Sequence, residues 1–454
     1  MRPQAIAVLD IGKTNAKLLA IDESGTVLAA AQIASPAANG ALDSERVWAW
    51  VLTGLRDLAT RFDITAIVPT AHGAAGALVD DDGLTHPVVD YEAVPPAAID
   101  ADYDRLRPRF AETFSPRLPA GLNLGRQLYW IERTAPDAVK RAKAFLTYPQ
   151  YFAWRLSGVM ASEATSLGCH SDLWRPDRAT PSALVDAMGW GRLLAPLRGA
   201  NARLGKTRRE LDLPDCDVLC GIHDSNAAYL GYLAGAKAPF AVVSTGTWVV
   251  CFNGGGDLAK LDPARDTLAN VDACGTPVAC SRFMGGREFA AIAGTARDAK
   301  PELADLSRIV AHRAMALPSF AGTGGPFPGR KGEIRGTLDT PQEAAGAAAL
   351  YLALMTRESL DLTGPASRIY VDGAFVANPL YAPLLATLMP EREIHVSRRT
   401  DGTAAGAAIL ARWTDGAPPC AALDAERVAP LALDLKDYAD EWRARCAKPQ
   451  GTAR

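Results

Sequence analysis

The sequence lacks the features of a membrane or nucleic-acid-binding protein. Its longest apolar runs, such as residues 347–355, are far shorter than the ~20 residues that cross a bilayer. Its 48 Lys and Arg residues are scattered and matched by 51 Asp and Glu, so there is no basic stripe with interleaved aromatics. No signal-peptide pattern precedes the first strand pattern. We therefore expect a soluble cytoplasmic protein without a nucleic-acid or membrane partner.

Closely spaced cysteines are also missing. None of the eight cysteines forms a CxxC pair, and a zinc site would need closer ligand pairs with histidine nearby. We expect free thiols in a reducing compartment.

The chain of 454 residues is too long for one compact core, which predicts two domains. Residues 5–31 read as three short strands in an antiparallel meander, followed by an amphipathic helix at 44–62 and a buried strand at 64–70. Residues 124–156 are rich in aromatics and read as mainly helical. Strands that alternate with helices predict an α/β fold with a largely parallel sheet.

The opening pattern recurs after residues 235–239, which read as a domain boundary. Strand patterns at 240–243 and 248–252 flank a second turn, 244 − 10 = 234 residues after the first. Strand 369–371 and helices 379–389 and 402–411 complete this half. The expected organisation is an N-terminal domain over 1–238, a C-terminal domain over 239–415 and a partly irregular extension over 416–454.

Each half therefore begins with a strand–turn–strand unit whose turn is suited to phosphate. The turns are Asp10-Ile-Gly-Lys-Thr-Asn15 and Ser244-Thr-Gly-Thr247. Small residues in such turns leave backbone N–H groups free to point at phosphate oxygens. Asp10 also stands where a strand ends, and could there hold a magnesium ion through water.

Two further segments carry candidate chemical groups. Asp224 follows a buried strand and precedes a helix, which suits either a general base for a sugar hydroxyl or a helix N-cap. His72 also follows a buried strand, where it would bind sugar hydroxyls or serve as a structural histidine. His223 would be a zinc ligand or an acid–base residue, or a structural hydrogen-bonding residue beside a helix start.

Taken together, the ordered motifs resemble the FGGY carbohydrate kinases. The resemblance rests on Asp10–Asn15, His72-Gly73, His223-Asp224, Ser244-Thr-Gly-Thr-Trp248 and the glycine–alanine segment after Tyr370, over about residues 5–412. The pairing of His-Asp with Ser-Thr-Gly-Thr-Trp is similar to the rhamnulose and fuculose kinase branch. The resemblance implies two ribonuclease-H-like domains of the actin and hexokinase type, with a catalytic cleft between them.

The resemblance also implies a role for each matching residue. It gives Asp10 as the magnesium-associated acid and Asp224 as the catalytic base. Binding roles fall on further residues, namely His72, Gly73 and His223 for the sugar, and Gly12, Lys13, Thr14, Asn15, Thr245, Gly246, Thr247 and Gly373 for the nucleotide. Relatives often carry a small residue at Lys13, so its ammonium either contacts phosphate or points outward. The resemblance implies that the glycine–alanine segment after Tyr370 cradles adenosine, and Asp372 and Ala374 make this segment poorer in glycine than is usual.

The expected function is ATP- and Mg²⁺-dependent phosphorylation of a small sugar, a ketose such as L-rhamnulose or L-fuculose. A ketopentose or another polyol would leave much the same pattern, and a homodimer is compatible with the sequence. A non-catalytic sugar or nucleotide sensor on the same fold would have no need for the base. A dehydrogenase would need a GxGxxG turn between strand and helix, whereas Asp10–Asn15 lies between two strands. A purely structural protein would leave the acid-bearing turns without a purpose.

Overall fold

The computed structural model describes residues 1–322, 324–397 and 401–448. These residues form two compact units. Unit 1 comprises residues 1–235, 269–277 and 401–422, and unit 2 comprises the remaining described residues. Each unit has its own sheet with packed helices, so the prediction of two α/β domains is confirmed.

Unit 1 contains the first fifteen strands of the chain. They are β1 Gln4–Ile11, β2 Asn15–Ile21, β3 Val27–Ala34, β4 Ala37–Ala38, β5 Ala41–Leu42, β6 Asp63–Ala71, β7 Gly76–Val79, β8 Ala144–Thr147, β9 Ser162–Glu163, β10 Trp174–Arg175, β11 Thr180–Pro181, β12 Leu197–Arg198, β13 Arg203–Lys206, β14 Asp217–Leu219 and β15 Ile222–His223. Its first nine α-helices are α1 Ser44–Arg61, α2 Ala97–Leu106, α3 Phe110–Thr113, α4 Leu124–Thr134, α5 Pro136–Arg141, α6 Tyr148–Ser157, α7 Ala164–Leu167, α8 Ala183–Ala187 and α9 Asp224–Gly235.

The later elements follow in chain order. The strands are β16 Phe240–Thr245, β17 Val249–Asn253, β18 Thr267–Val271, β19 Pro277–Phe283, β20 Met315–Leu317, β21 Glu333–Arg335, β22 Arg368–Gly373, β23 Glu393–Ser397 and β24 Ala425–Arg427. The helices are α10 Gly285–Ala293, α11 Leu303–Ala311, α12 Pro341–Thr363, α13 Tyr381–Leu388, α14 Gly402–Arg412 and α15 Lys436–Ala447. Each helix within the described ranges is too short or too polar to span a bilayer.

The main sheet of unit 1 runs β13-β14-β6-β1-β2-β3, and β15 also pairs with β6. Strands β1, β2 and β3 form the predicted antiparallel meander, while β6 lies parallel to β1 and to both β14 and β15. The near-continuous apolar sequence of β1 matches its burial on both faces. Helices α1 and α6 cover one face, and α9 and α14 cover the other.

Helix α14 packs unusually close to α9, at Gly406. A Cβ at this glycine would lie 1.8 Å from the carbonyl oxygen of Ala227, so no other residue fits there without displacing the backbone. The small-residue composition of α14, visible in the sequence, permits this approach.

Unit 2 repeats the local topology of unit 1. Strand β16 is antiparallel to β17 and parallel to β22, as β1 is antiparallel to β2 and parallel to β6. Strands β19, β23 and β24 extend this sheet. The long helix α12 is buried along most of its length against it, together with α10, α11, α13 and α15.

The compact units differ from the sequence-based boundaries in two places. Helix α14, which we expected in the second domain, packs in unit 1. The extension expected to be partly irregular contains β24 and α15. Helix α15 is anchored in unit 2 by the side chains of Tyr438 and Trp442, which donate to the carbonyl oxygens of Ala314 and Ala316. The expected tail after Lys448 lies outside the described residues.

Candidate active site

The candidate residues of unit 1 lie where three parallel strands end. Asp10 of β1 is opposite Thr70 of β6, and Thr70 is opposite Ile222 of β15. His72 follows β6, and Asp224 follows β15. Because the carboxyl ends of parallel strands meet at one edge of a sheet, the strands bring these groups to the same edge.

The Asp10 carboxylate is largely enclosed in a negatively charged environment. Burial, followed by the charges of Asp224 and Asp401, raises its pKa from 3.8 to about 6 against the opposing effect of Lys17. Lys17 is its cross-strand neighbour on β2. An acid held this way favours a neutralising partner, either a proton or a cation.

The first turn is closed by its own backbone. The N–H of Gly12 donates to the carbonyl oxygen of Asn15 at 2.9 Å, and a Cβ at Gly12 would stand 2.9 Å from that oxygen. Ser35 supports the turn by donating to the carbonyl oxygens of Gly12 and Thr14. Thr14 and Asn15 are exposed and can reach a ligand.

Lys13 is held by acidic partners on another segment. Its ammonium lies 2.5 Å from both carboxylate oxygens of Asp90, 3.5 Å from Glu92 and 5.0 Å from the centre of the Tyr91 ring. The sequence suggested phosphate contact or an outward orientation, and the structure turns the side chain towards these two acids. A phosphate role for Lys13 stays a prediction.

The ring of His72 presents its Nε2 atom as a hydrogen-bond acceptor. Its Nδ1 lies 2.8 Å from the carbonyl oxygen of Gly73, and since a carbonyl only accepts, Nδ1 carries the proton. Burial lowers the pKa of His72, which favours the neutral ring. Nε2 then carries a lone pair that can accept a hydrogen bond from a hydroxyl group.

Gly73 lets the chain pass close to His223 and Cys169. A Cβ at Gly73 would lie 2.7 Å from His223 Nε2 and 3.6 Å from Cys169 Sγ. Burial opposes charge on His223, but Cys169 and Asp224 raise its pKa to about 9. Burial likewise opposes the Cys169 thiolate, while His170 and His223 lower its pKa to about 5. The pair therefore favours a thiolate and an imidazolium.

Asp224 is the first residue of α9, but it does not cap that helix in the usual way. Its Oδ1 accepts from the N–H of Ser225, the next residue, at 2.6 Å, whereas a capping side chain accepts from two or three residues further on. The same oxygen lies 3.3 Å from His223 Nε2, and the side chain is 29% exposed. Asp224 is thus oriented by its neighbours and open to a ligand.

In unit 2 the second turn has a similar closure. Gly246 donates its N–H to the carbonyl oxygen of Trp248 at 2.9 Å, and Thr247 is exposed. The N–H of Gly286, in the first turn of α10, donates to the carbonyl oxygen of Thr247 at 3.2 Å. A Cβ at Gly286 would lie 2.8 Å from the carbonyl oxygen of Gly246. The positive end of α10 therefore rests against this turn, where an anion is favoured.

Thr245 and Gly373 join the second turn to the glycine–alanine segment after Tyr370. The buried hydroxyl of Thr245 donates to the carbonyl oxygen of Asp372 and accepts from the N–H of Phe375. Gly373 has φ of 85°, and a Cβ there would lie 2.1 Å from the carbonyl oxygen of Thr245. The structure thus uses the Thr245 hydroxyl to hold this segment, and Gly373 is required for close approach.

The donor set fits a magnesium ion that is shared with phosphate. Among the described residues no group of three or more His, Cys, Asp or Glu is arranged to hold a metal. Mg²⁺ bound with a nucleotide needs only one or two protein carboxylates, because waters and phosphates supply the rest. Asp10, with its surplus of nearby negative charge, meets that requirement.

Sequence reasoning missed four contributors to this site in unit 1. They are Asp90 and Tyr91 beside Lys13, Cys169 beside His223, and Asp401 near Asp10. Asp401 had a visible signal, since an acid directly before a small-residue helix marks a helix start. Asp90, Tyr91 and Cys169 lie in irregular segments without a motif.

Comparison with known proteins places these observations in a family. Residues 237–419 match the family "Carbohydrate kinase FGGY, C-terminal domain". The crystal structure of a carbohydrate kinase from Novosphingobium aromaticivorans is 36% identical, with a TM-score of 0.90 over 97% of this chain and 100% of that chain. The chain belongs to the FGGY carbohydrate kinases.

Other relatives agree at greater distance. An L-fuculokinase of Salmonella typhi is 29% identical over 269 residues, and the match spans 55% of this chain and 56% of that protein, little more than half its length. A ligand-bound xylulose kinase of Lactobacillus acidophilus shares the fold at a TM-score of 0.78 and 16% identity, over 98% of this chain and 96% of that one. The expected FGGY fold is confirmed.

Proposed function

We propose that this FGGY chain transfers the γ-phosphoryl group of ATP to a hydroxyl of a small ketose. The observation that carries the proposal is the pair of carboxylates Asp10 and Asp224, which lie at the ends of two strands that both pair in parallel with β6, where the charge of Asp224 raises the pKa of Asp10. Asp10 is suited to hold a magnesium ion, and Asp224 is suited to accept a proton from the sugar hydroxyl. A phosphate-type turn in each unit adds the backbone donors.

Phosphoryl transfer passes through a loose transition state, so positioning and charge neutralisation account for most of the catalysis. We assign Asp224 as the base that orients the sugar hydroxyl and takes its proton. His72 Nε2 accepts from a second sugar hydroxyl. His223 and the N–H of Ser225 fix the Asp224 carboxylate through Oδ1.

The nucleotide groups are assigned to both turns. Gly12, Thr14 and Asn15 of the first turn, and Gly246 and Thr247 of the second, bind phosphate oxygens through N–H and hydroxyl groups. Thr245 and Gly373 shape the segment that receives adenosine. Asp10 would hold Mg²⁺, which neutralises phosphate charge when bound.

For the acceptor we propose a 6-deoxyketohexose such as L-fuculose or L-rhamnulose, with L-fuculose first because the L-fuculokinase relative is named for it. A ketopentose is the second candidate, but the xylulose kinase supports only the fold.

All eight cysteines are free, which agrees with a reducing cytoplasm.

The experiment is an ADP-release assay with ATP, Mg²⁺ and a panel of ketoses, aldoses and polyols. We expect at least one ketose to stimulate ADP formation, and Asp224→Asn to lower kcat by about 10²–10⁴-fold at unchanged Tm and ATP affinity. Asp43→Asn, which alters the carboxylate that caps α1, is the matched control and should stay active. A folded protein that no sugar stimulates would refute the kinase. If it still bound sugar and ATP, the alternative of a non-catalytic sensor would hold.

A further inference from the structure

The contact between Lys13 and Asp90 links two segments that are 77 residues apart in the sequence. Asp90 is nearly buried, with 9% of its side chain exposed, and Lys13 is 20% exposed. Removing one partner of an ion pair this shielded from water is costly, because it leaves the other charge buried and unpaired. Loss of either partner should therefore disturb the segment that contains Asp90.

The segment that contains Asp90 is fixed at several backbone points. Asp90 donates its N–H to the carbonyl oxygen of Gly40 at 2.9 Å and accepts from the N–H of Ala93. The carbonyl oxygen of Tyr91 accepts from the N–H of Gly121 at 2.9 Å. Lys13 adds the side-chain contact to this arrangement. The result is a defined place for the Tyr91 ring.

That ring lies beside the candidate sugar ligand His72. The two ring centres are 5.6 Å apart in an edge-to-face arrangement, and the Tyr148 ring lies 5.4 Å from His72 on another side. Tyr91 is half-buried, whereas Tyr148 is fully buried. The negative charge of Asp224 raises the pKa of Tyr91, after burial and the nearby acids, and the charge of Lys13 lowers the pKa of His72. Tyr91, His72 and Asp224 therefore surround one region.

We propose that Tyr91 is a specificity-determining wall of the sugar site, and that Lys13 is a positioning residue that holds this wall through Asp90. The proposal rests on the proposed function and extends it to Tyr91 and Asp90, which lie outside the family motifs, and to Lys13, which lies within one. Sugar sites combine an aromatic surface for the apolar C–H face with a few placed polar groups. Tyr91 supplies the surface, and His72 with Asp224 supplies the polar groups. Lys13 then acts on sugar recognition and not on phosphate.

The test separates sugar binding from phosphate binding. We expect Lys13→Met to raise KM for the preferred sugar at least about tenfold, because the Asp90 charge loses its partner and Tyr91 loses its support. KM for ATP and kcat should stay within about twofold. Lys13→Arg keeps the ion pair and should restore the sugar KM. Asp90→Asn should match Lys13→Met, and the double variant should be no worse than either single one.

Lys143→Met is the matched control, because Lys143 forms an exposed ion pair with Asp81 and should not affect any kinetic constant. Tyr91→Leu provides an independent test, since its half-exposed side chain can be changed without emptying a core. It should raise the sugar KM and alter the ranking of sugars in the panel. A Lys13→Met variant that weakens ATP or lowers kcat at an unchanged sugar KM would overturn the proposal.

The inference can be judged even if the kinase proposal fails. Sugar binding by calorimetry, without ATP, needs no phosphoryl transfer. A wild-type protein that binds a panel sugar but forms no ADP would refute the kinase, while loss of that binding in Lys13→Met and Tyr91→Leu would support the wall. Equal binding by wild type and both variants, or no binding of any panel sugar by the wild type, would refute the wall.

Discussion

Asp10 should destabilise the ligand-free protein at neutral pH. Its pKa rises from 3.8 to about 6, chiefly by burial and then by the charge of Asp224. That rise corresponds to about 3 kcal/mol, at ~1.36 kcal/mol for each pH unit. Because the pKa is raised, the penalty is absent below pH 3.8, grows up to about pH 6 and is fully present above it.

Replacing Asp10 with asparagine removes the charge and keeps the shape. We expect ligand-free Asp10→Asn to melt about 6–12 °C above the wild type at pH 8, since about 1 kcal/mol moves Tm by 2–4 °C in a unit of this size. The difference should shrink as pH falls below 6. Differential scanning fluorimetry across this pH range, with and without Mg²⁺ and ATP, measures both effects. Mg²⁺ with ATP should stabilise the wild type and the variant unequally, because only the wild type retains the carboxylate.

Asp57→Asn is the control, because its side chain on α1 is 68% exposed and its loss should leave Tm unchanged. A lower Tm of Asp10→Asn at pH 8 would refute the reasoning, because it would show that Asp10 stabilises the strands through Lys17. Equal stabilisation of both proteins by Mg²⁺ and ATP would remove Asp10 as the magnesium-associated acid.

Two further predictions concern neighbouring contacts. Cys169→Ser should lower the pKa of His223 from about 9 towards its ordinary value, because it removes the thiolate charge. An NMR titration measures this pKa, with Cys216→Ser as the control. An unchanged pKa of His223 would contradict the pairing with Cys169. Gly286→Ala should raise KM for ATP without changing sugar affinity, because its Cβ would lie 2.8 Å from the carbonyl oxygen of Gly246 and displace the second turn. Unchanged ATP kinetics would show that this turn does not bind phosphate.

Much of the fold could be predicted because it is encoded locally. The meander at 4–34, the strand at 63–71 and the helix at 44–61 follow from apolar periodicity and turn residues. The duplicated turns were visible for the same reason. Strand β8 at 144–147 was hidden because it is apolar and runs directly into the apolar, aromatic-rich helix α6, so periodicity does not separate the two.

Helix α15 and the assignment of α14 could not be predicted, for two different reasons. Helix α15 has a polar sequence, and only a few large side chains such as Tyr438 and Trp442 bury it. Helix α14 was recognised as a helix, but its partner depends on the fit of Gly406 against Ala227, a contact between residues far apart in the chain. Long-range packing of this kind leaves no local pattern.

In the candidate site, too, the positions of some side chains follow from local sequence, whereas others depend on contacts between distant parts of the chain. The motifs indicate which residues follow the strands, and the sheet brings Asp10, His72 and Asp224 to one edge. The direction of the Lys13 side chain, however, is decided by Asp90, whose position depends on backbone contacts with Gly40 and Ala93. A lysine in a phosphate-type turn is read as a phosphate ligand because the turn is local and its acidic partner is not. The kinetics of Lys13→Met will decide between a phosphate role and a positioning role for Lys13. Loss of a phosphate ligand changes KM for ATP or kcat, whereas loss of a positioning residue changes KM for the sugar.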